Sequence, residues 1–151
     1  MLNMKKVLLI LLSFLYVNNN VVLAKELNIN EYKQVLTQCY NNFEHNEKRC
    51  SDWNSRCFNH LQAEQEKLQK CYQKVAVSIF TEFYDLSNED ALQKFDNYKN
   101  FLQIEYKFIY SDSIYCKKNN CGIAPNLYSE YATSQGLYNY INKTINYIEN
   151  Q

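Results

Sequence analysis

Six cysteines are the residues of this chain whose chemistry is most versatile: Cys39, Cys50, Cys57, Cys71, Cys116 and Cys121. A cysteine thiolate acts as a nucleophile, a redox partner or a metal ligand, whereas an oxidised pair forms a disulfide. The chain has no C-x-x-C motif, and its cysteine spacings match no zinc signature. His45 and His60 lie near the cysteines in the sequence, but lone histidines beside disulfides are usually surface residues. We therefore predict disulfides and no metal site.

Two groups of acidic residues are close enough in the sequence to be considered for acid/base catalysis: Glu44 with Glu47, and Asp85 with Glu89 and Asp90. Such catalysis needs a cleft that separates the pKa values of the two carboxyl groups. These residues instead lie in polar stretches near predicted helix ends, which favours a solvated face or a helix cap. Nucleophile-elbow, Walker and zinc-protease motifs do not occur in the sequence. We predict no catalytic residue, no enzymatic activity and no cofactor.

The N-terminus has the pattern of a secretory signal peptide. Lys5 and Lys6 precede an apolar stretch, Val7–Val17, and a small residue, Ala24, ends the segment. A basic start, an apolar stretch of about ten residues and a small residue at the cleavage point are typical of export. We predict a signal peptide, Met1–Ala24, and a mature domain over 25–151 in the periplasm or outside the cell. A retained membrane anchor is the alternative, although a span needs about 20 apolar residues.

The composition favours helices. The chain has only two glycines and one proline, whereas a sheet protein of this size needs many tight turns built from these residues. The predicted signal holds two of the 16 basic residues and none of the 16 acidic ones, so the mature chain is slightly acidic. Neither the basic patch of a nucleic-acid-binding protein nor a polybasic membrane-binding tract is present.

Apolar residues at steps of three and four residues predict four helices, which we expect to form a bundle. The first is expected over about 28–46, with an apolar face of Ile29, Tyr32, Leu36, Cys39 and Phe43. The second is expected over about 52–84, with Phe58, Leu61, Leu68, Tyr72, Val75, Ile79 and Phe83 on one face and the polar residues of Gln62–Lys70 on the other.

The third helix is expected to begin at Ser87, which has capping-box spacing to Asp90, and to continue to about Tyr110. Its predicted apolar face is Leu92, Phe95, Leu102, Tyr106 and Ile109. The fourth is expected after Pro125, with Leu127, Tyr131, Tyr138, Ile141, Ile145 and Ile148 on one side. The predicted fold is therefore an all-α, disulfide-stabilised bundle of about four helices.

Helix geometry leaves two pairing schemes open for the first four cysteines. If the first two helices form a hairpin, a nested pattern places Cys39–Cys71 outside Cys50–Cys57. The rival scheme is sequential, with Cys57–Cys71 closing a shorter segment. Cys116–Cys121 would close the loop before Pro125 in either scheme. Sequence alone does not choose among the 15 pairings that six cysteines allow.

From Cys57 to its C-terminus, the chain resembles the lysozyme-inhibitor LprI-type N-terminal domain family of bacterial envelope proteins. The similar features are the Cys57–Cys71 stretch, the aromatic-rich run Phe101–Cys116, the loop Cys121–Pro125 and the Thr133–Leu137 segment. The chain departs from the family pattern at Ser111, where the family has Arg, and it lacks the family's final cysteine. The resemblance implies a helical, disulfide-bonded periplasmic protein that inhibits lysozyme, and it implies no catalytic residue.

These observations lead to a functional hypothesis and its alternatives. The first is an exported helical binding protein of the bacterial envelope that inhibits lysozyme or another cell-wall hydrolase. The alternatives are an immunity protein that neutralises a secreted toxin, an envelope protein with a structural role, and a small thiol oxidoreductase. An inhibitor or an immunity protein would bind a protein partner. We expect no nucleic-acid partner and no stable membrane anchor.

Overall fold

The computed structural model describes residues 29–47, 55–111 and 125–151. These residues form four helices: α1 over 29–47, α2 (Ser55–Phe83), α3 (Asn88–Ser111) and α4 (Pro125–Glu149). No strand occurs in these three stretches. The predicted all-α class and the four predicted helices are confirmed, with ends that differ by a few residues. The predicted signal peptide, Met1–Ala24, lies outside the described residues.

The turn between α2 and α3 is built without glycine. Asp85 has a φ of 54°, a left-handed conformation that Asp and Asn tolerate better than most residues. The backbone N–H groups of Tyr84 and Leu86 both donate to the Phe80 carbonyl, at 3.2 and 3.3 Å. These bonds satisfy a carbonyl at the end of α2 while the chain reverses direction.

The predicted capping box begins α3. The backbone N–H of Asp90 donates to Ser87 Oγ at 3.1 Å, and the Ser87 hydroxyl donates to Asp90 Oδ2 at 2.6 Å. Because Glu89 and Asp90 lie in the first turn, their negative charges also interact favourably with the partial positive charge of the helix N-terminus, which stabilises the helix. The helix-cap interpretation of Asp90 is confirmed.

One buried cluster takes residues from all four helices. Its most deeply buried large side chains include Leu36 of α1, Tyr72, Ile79 and Phe80 of α2, Phe95 of α3, and Leu137, Ile141 and Ile145 of α4. Since each helix contributes one apolar stripe, the four helices bury these stripes against one another. A smaller cluster joins Cys57 and Leu61 of α2 to Leu127 of α4.

The predicted apolar face of α3 is partly wrong. Leu92 and Ile109 are 41% and 39% exposed, whereas Ala91, Phe95 and Leu102 point into the core. The buried residues follow the i, i+4, i+11 spacing from Ala91, and Leu92 lies one step of about 100° around the helix from that line. The short side chain of Ala91 gave little signal in the sequence, although it is completely buried.

At Gly136, α4 comes very close to α3. A Cβ atom added there would lie 2.9 Å from Leu102 Cδ1, closer than ordinary van der Waals contact. Leu102 is itself buried, so glycine allows the two helices to approach more closely than a side chain would. Among the helices described, none is long and apolar enough to span a membrane.

Candidate functional site

A disulfide between Cys39 and Cys71 links α1 to α2. The Cα atoms are 6.0 Å apart, a usual separation for a bridge between neighbouring elements. This bond is the outer pair of the nested scheme. The sequential pairing Cys57–Cys71 is wrong, because the sulfur of Cys71 already bonds to Cys39.

Cys57 is also disulfide-bonded. Its partner lies outside the described residues, as do Cys50, Cys116 and Cys121. The predicted bridges Cys50–Cys57 and Cys116–Cys121 therefore stay predictions. Of the described cysteines, none is a free thiol.

An open cleft lies beside the Cys39–Cys71 bridge, between the C-terminal half of α1 and the middle of α2. Its volume is about 340 Å³, near the lower end of the range for small-molecule sites. The lining residues from α1 are Cys39, Asn42, Phe43, His45 and Asn46, and those from α2 are Glu64, Lys67, Leu68 and Cys71. The lining therefore combines polar side chains with an apolar set made of the disulfide, Phe43 and Leu68.

Glu64 is the most constrained polar group of the cleft. Its side chain is 6% exposed, and Asn46 Nδ2 and Lys67 Nζ donate to its two oxygens at 2.7 and 2.6 Å. The hydrogen bond from Lys67 lowers the pKa of the Glu64 carboxyl despite the opposing effect of burial. The carboxylate is therefore charged at neutral pH and is held in one position.

The two histidines occupy different environments. His45 is exposed and lines the cleft, which agrees with the surface position predicted for it. His60 is half-buried, and its Nε2 atom has no hydrogen-bond partner. Within the described stretches, no three His, Cys, Asp or Glu side chains are grouped so as to hold a metal ion.

Glu47 is half-buried at the last described position of α1. Its Oε1 atom accepts a 2.6 Å hydrogen bond from the Tyr131 hydroxyl of α4. Burial, and then this hydrogen bond, raise the pKa of Tyr131 above its usual value. Glu44 is half-buried on the same helix, whereas Asp85 and Glu89 are exposed at the α2–α3 turn. The structure therefore does not bring these acidic residues together into one site.

A buried polar cluster joins α2 to α4 and was not expected from the sequence. Gln65 and Gln69, which lie in the stretch predicted to form the polar face of α2, are 1% and 3% exposed. The Ser134 hydroxyl donates to Gln65 Oε1 at 2.6 Å, and Gln69 Nε2 donates to Glu130 Oε2 at 2.7 Å. Because the partners come from α4, the burial of these amides is not visible in the α2 sequence alone.

The outward side of α3 carries an apolar stripe that the sequence reasoning also missed. Phe101, Ile104 and Phe108 are 58%, 73% and 72% exposed. Their i, i+3, i+7 spacing places them on one line along the helix, roughly 130° around it from the buried face of Ala91, Phe95 and Leu102. The Phe101 ring stacks against Tyr98, with ring centroids 6.4 Å apart. We call these three residues the α3 stripe.

Comparison with known proteins yields no relative. No protein-family model matches the chain, and no curated protein and no solved structure matches it either. The resemblance to the lysozyme-inhibitor family therefore stays a prediction from the quoted motifs.

Proposed function

We propose that the chain is an exported binding protein of the bacterial envelope that inhibits lysozyme or another cell-wall hydrolase, with the α3 stripe as its contact surface. The signal-peptide pattern at Met1–Ala24 supports export. The Cys39–Cys71 bridge suits the oxidising compartments outside the cytoplasm.

The exposure of Phe101, Ile104 and Phe108 is the observation that carries this proposal. Single exposed apolar residues are ordinary, but a line of large ones on a helix is typical of a protein-binding surface. A helix with two separate apolar faces gains free energy when both faces are covered. The core covers one side of α3, so a partner would cover the other.

The shape of the stripe suits an inhibitor. A helix side is a convex ridge, and such ridges bind in grooves through residues at i, i+3 and i+7. The substrate cleft of a cell-wall hydrolase is a concave site of that kind. Binding there would block the enzyme without any chemistry by the inhibitor. An immunity protein would use the same surface on a toxin, so the experiment must identify the partner class.

A wall-lysis assay tests the proposal. The full chain is expressed in a bacterial host, purified in oxidised form and titrated against several lysozyme classes on a cell-wall suspension. We expect dose-dependent protection by the wild type. Replacing Phe101, Ile104 and Phe108 together by Ser should weaken protection at least about tenfold, because hot-spot aromatic residues each contribute about 2 kcal/mol or more.

Tyr147→Ser is the matched control, since Tyr147 is 60% exposed on α4 and lies outside the stripe. This variant should protect as well as the wild type does. Absence of protection against every lysozyme class would overturn hydrolase inhibition. Equal loss in the Tyr147 variant would overturn the assignment of the surface.

A further inference from the structure

We infer that the cleft between α1 and α2 is a binding site for a neutral, hydrogen-bonding ligand about the size of one or two sugar rings. The site lies on other helices than the α3 stripe, and the inference does not depend on the proposed function. It rests on the volume of the cleft, on the polar and apolar side chains that line it, and on the ion pair between Glu64 and Lys67.

The size of the cleft limits the ligand. A volume of about 340 Å³ accommodates a mono- or disaccharide or a compound of similar bulk. The cleft is bounded at one end by the Cys39–Cys71 bridge, which holds α1 and α2 at a set distance. A site held in shape before binding loses less conformational entropy when a ligand enters.

The charges of two described lining residues are paired. Among the residues that the structure describes at the cleft, Glu64 is the one acidic residue and Lys67 the one basic residue apart from His45, and these two side chains form an ion pair at 2.6 Å. A charged ligand would have to compete with that pair or remain unpaired in a partly desolvated site, which costs free energy. A neutral ligand meets no such penalty.

The polar wall still offers hydrogen bonds to a ligand. Asn46 gives one amide hydrogen to Glu64, which leaves its carbonyl oxygen as an acceptor. Lys67 has three donors, of which one bonds to Glu64. Asn42 is exposed at the cleft, where the carbonyl oxygen and the NH₂ group of its amide can both bond to a ligand. The lining therefore offers both donors and acceptors, and the hydroxyl groups of a sugar can use both.

Apolar groups also line the cleft. Phe43 and Leu68 line it together with the disulfide. A sugar ring has a polar hydroxyl edge and a less polar C–H face, so it complements both sides at once. A purely apolar ligand would leave the amides of the wall unpaired, which disfavours its binding.

A titration followed by NMR tests the inference. The oxidised full chain, labelled with ¹⁵N, is titrated with N,N′-diacetylchitobiose, a neutral disaccharide. We expect saturable shifts of the side-chain amide signals of Asn42 and Asn46. Asn42→Ala and Lys67→Ala should each weaken binding about fivefold or more, as expected for the loss of one hydrogen bond.

Asn97→Ala provides the matched control, because Asn97 is an exposed amide on α3, away from the cleft. It should leave the affinity unchanged. The deacetylated disaccharide, which carries two positive charges, should bind more weakly than the neutral one. Three results would each overturn the inference: no saturable shifts, an affinity of the Asn42 and Lys67 variants equal to that of the wild type, or tighter binding of the charged sugar. Because this titration and the wall-lysis assay probe different surfaces, either proposal can fail without the other.

Discussion

The Tyr131 hydroxyl of α4 donates a 2.6 Å hydrogen bond to Glu47 Oε1, in the last described turn of α1. This bond connects two helices that are far apart in the sequence. The Phe43 ring of α1 also meets the Tyr131 ring edge-to-face, with centroids 5.5 Å apart. Tyr131 therefore anchors the C-terminal half of α1 to α4 by a polar and an aromatic contact.

We expect Tyr131→Phe to lower the free energy of unfolding by about 1–2 kcal/mol, because the half-buried Glu47 carboxylate loses its donor while the ring contact is kept. Urea unfolding followed by circular dichroism measures the change. Tyr147→Phe is the control, since Tyr147 is exposed, and it should change the stability little. Equal stability of the two variants would show that the bond contributes nothing.

Alkaline pH should destabilise the fold through two half-buried tyrosines, Tyr32 and Tyr131. Burial, followed by the hydrogen bond to Glu82, raises the pKa of Tyr32 from 10.0 to about 12. Between these values the unfolded chain loses the Tyr32 proton while the native state keeps it. The stabilisation is thus complete below pH 10 and is lost as the pH rises towards about 12. Tyr131 adds to the same trend, because its pKa is raised in the same direction.

Urea unfolding of the wild type and of Tyr32→Phe at a series of pH values between 8 and 12 checks this dependence. The variant removes the titrating hydroxyl, so its stability should fall less steeply above pH 10. Ultraviolet absorbance of tyrosinate provides a direct second readout. Identical slopes in the two proteins would rule out Tyr32 as a source of the effect.

Loss of the Cys39–Cys71 bridge should cost about 2–4 kcal/mol, because the unfolded chain regains the freedom of a loop that spans 32 residues. The double substitution Cys39→Ala and Cys71→Ala leaves the other cysteines able to pair. Chemical unfolding of the oxidised variant measures the cost. A loss below about 1 kcal/mol would mean that packing alone holds α1 against α2.

In the buried polar cluster between α2 and α4, the effect of one substitution on stability should depend on whether its hydrogen-bond partner is also substituted. Ser134→Ala removes the donor to Gln65 Oε1 and the acceptor for Gln69 Nε2, which should cost about 1–3 kcal/mol. Gln65→Leu added to that variant removes one of the groups left unpaired, so the double variant should lose less than the sum of the two single losses.

A double-mutant cycle in urea measures this coupling. Gln62→Leu, at an exposed position of the same helix, controls for the general effect of a leucine on α2. Strict additivity of Ser134→Ala and Gln65→Leu would show that the hydrogen bond between them has no energetic role.

Local sequence patterns predicted much of the fold. The capping box at Ser87 and Asp90 predicted the start of α3 because both partners lie within one helical turn. The apolar stripe of α1 was predicted from spacing, and Leu36, Cys39 and Phe43 are indeed buried. The cleft and the α3 stripe were not predicted. A cleft depends on the distance between two helices, which the sequence does not give. Periodicity identifies the apolar stripe that faces the core, and it does not identify a second apolar stripe on the same helix.

The amino-acid sequence by itself determined the helices, because helix hydrogen bonds and caps connect residues only a few positions apart. Its N-terminal pattern also favoured cysteine bridges over thiol chemistry, and the Cys39–Cys71 bridge agrees with that expectation. Only the tertiary structure decided that Cys39 pairs with Cys71, that Gln65 and Gln69 are buried, and that Leu92 is exposed. The physical reason is that burial and disulfide pairing depend on neighbours from other helices, whose arrangement follows from packing the whole bundle at once.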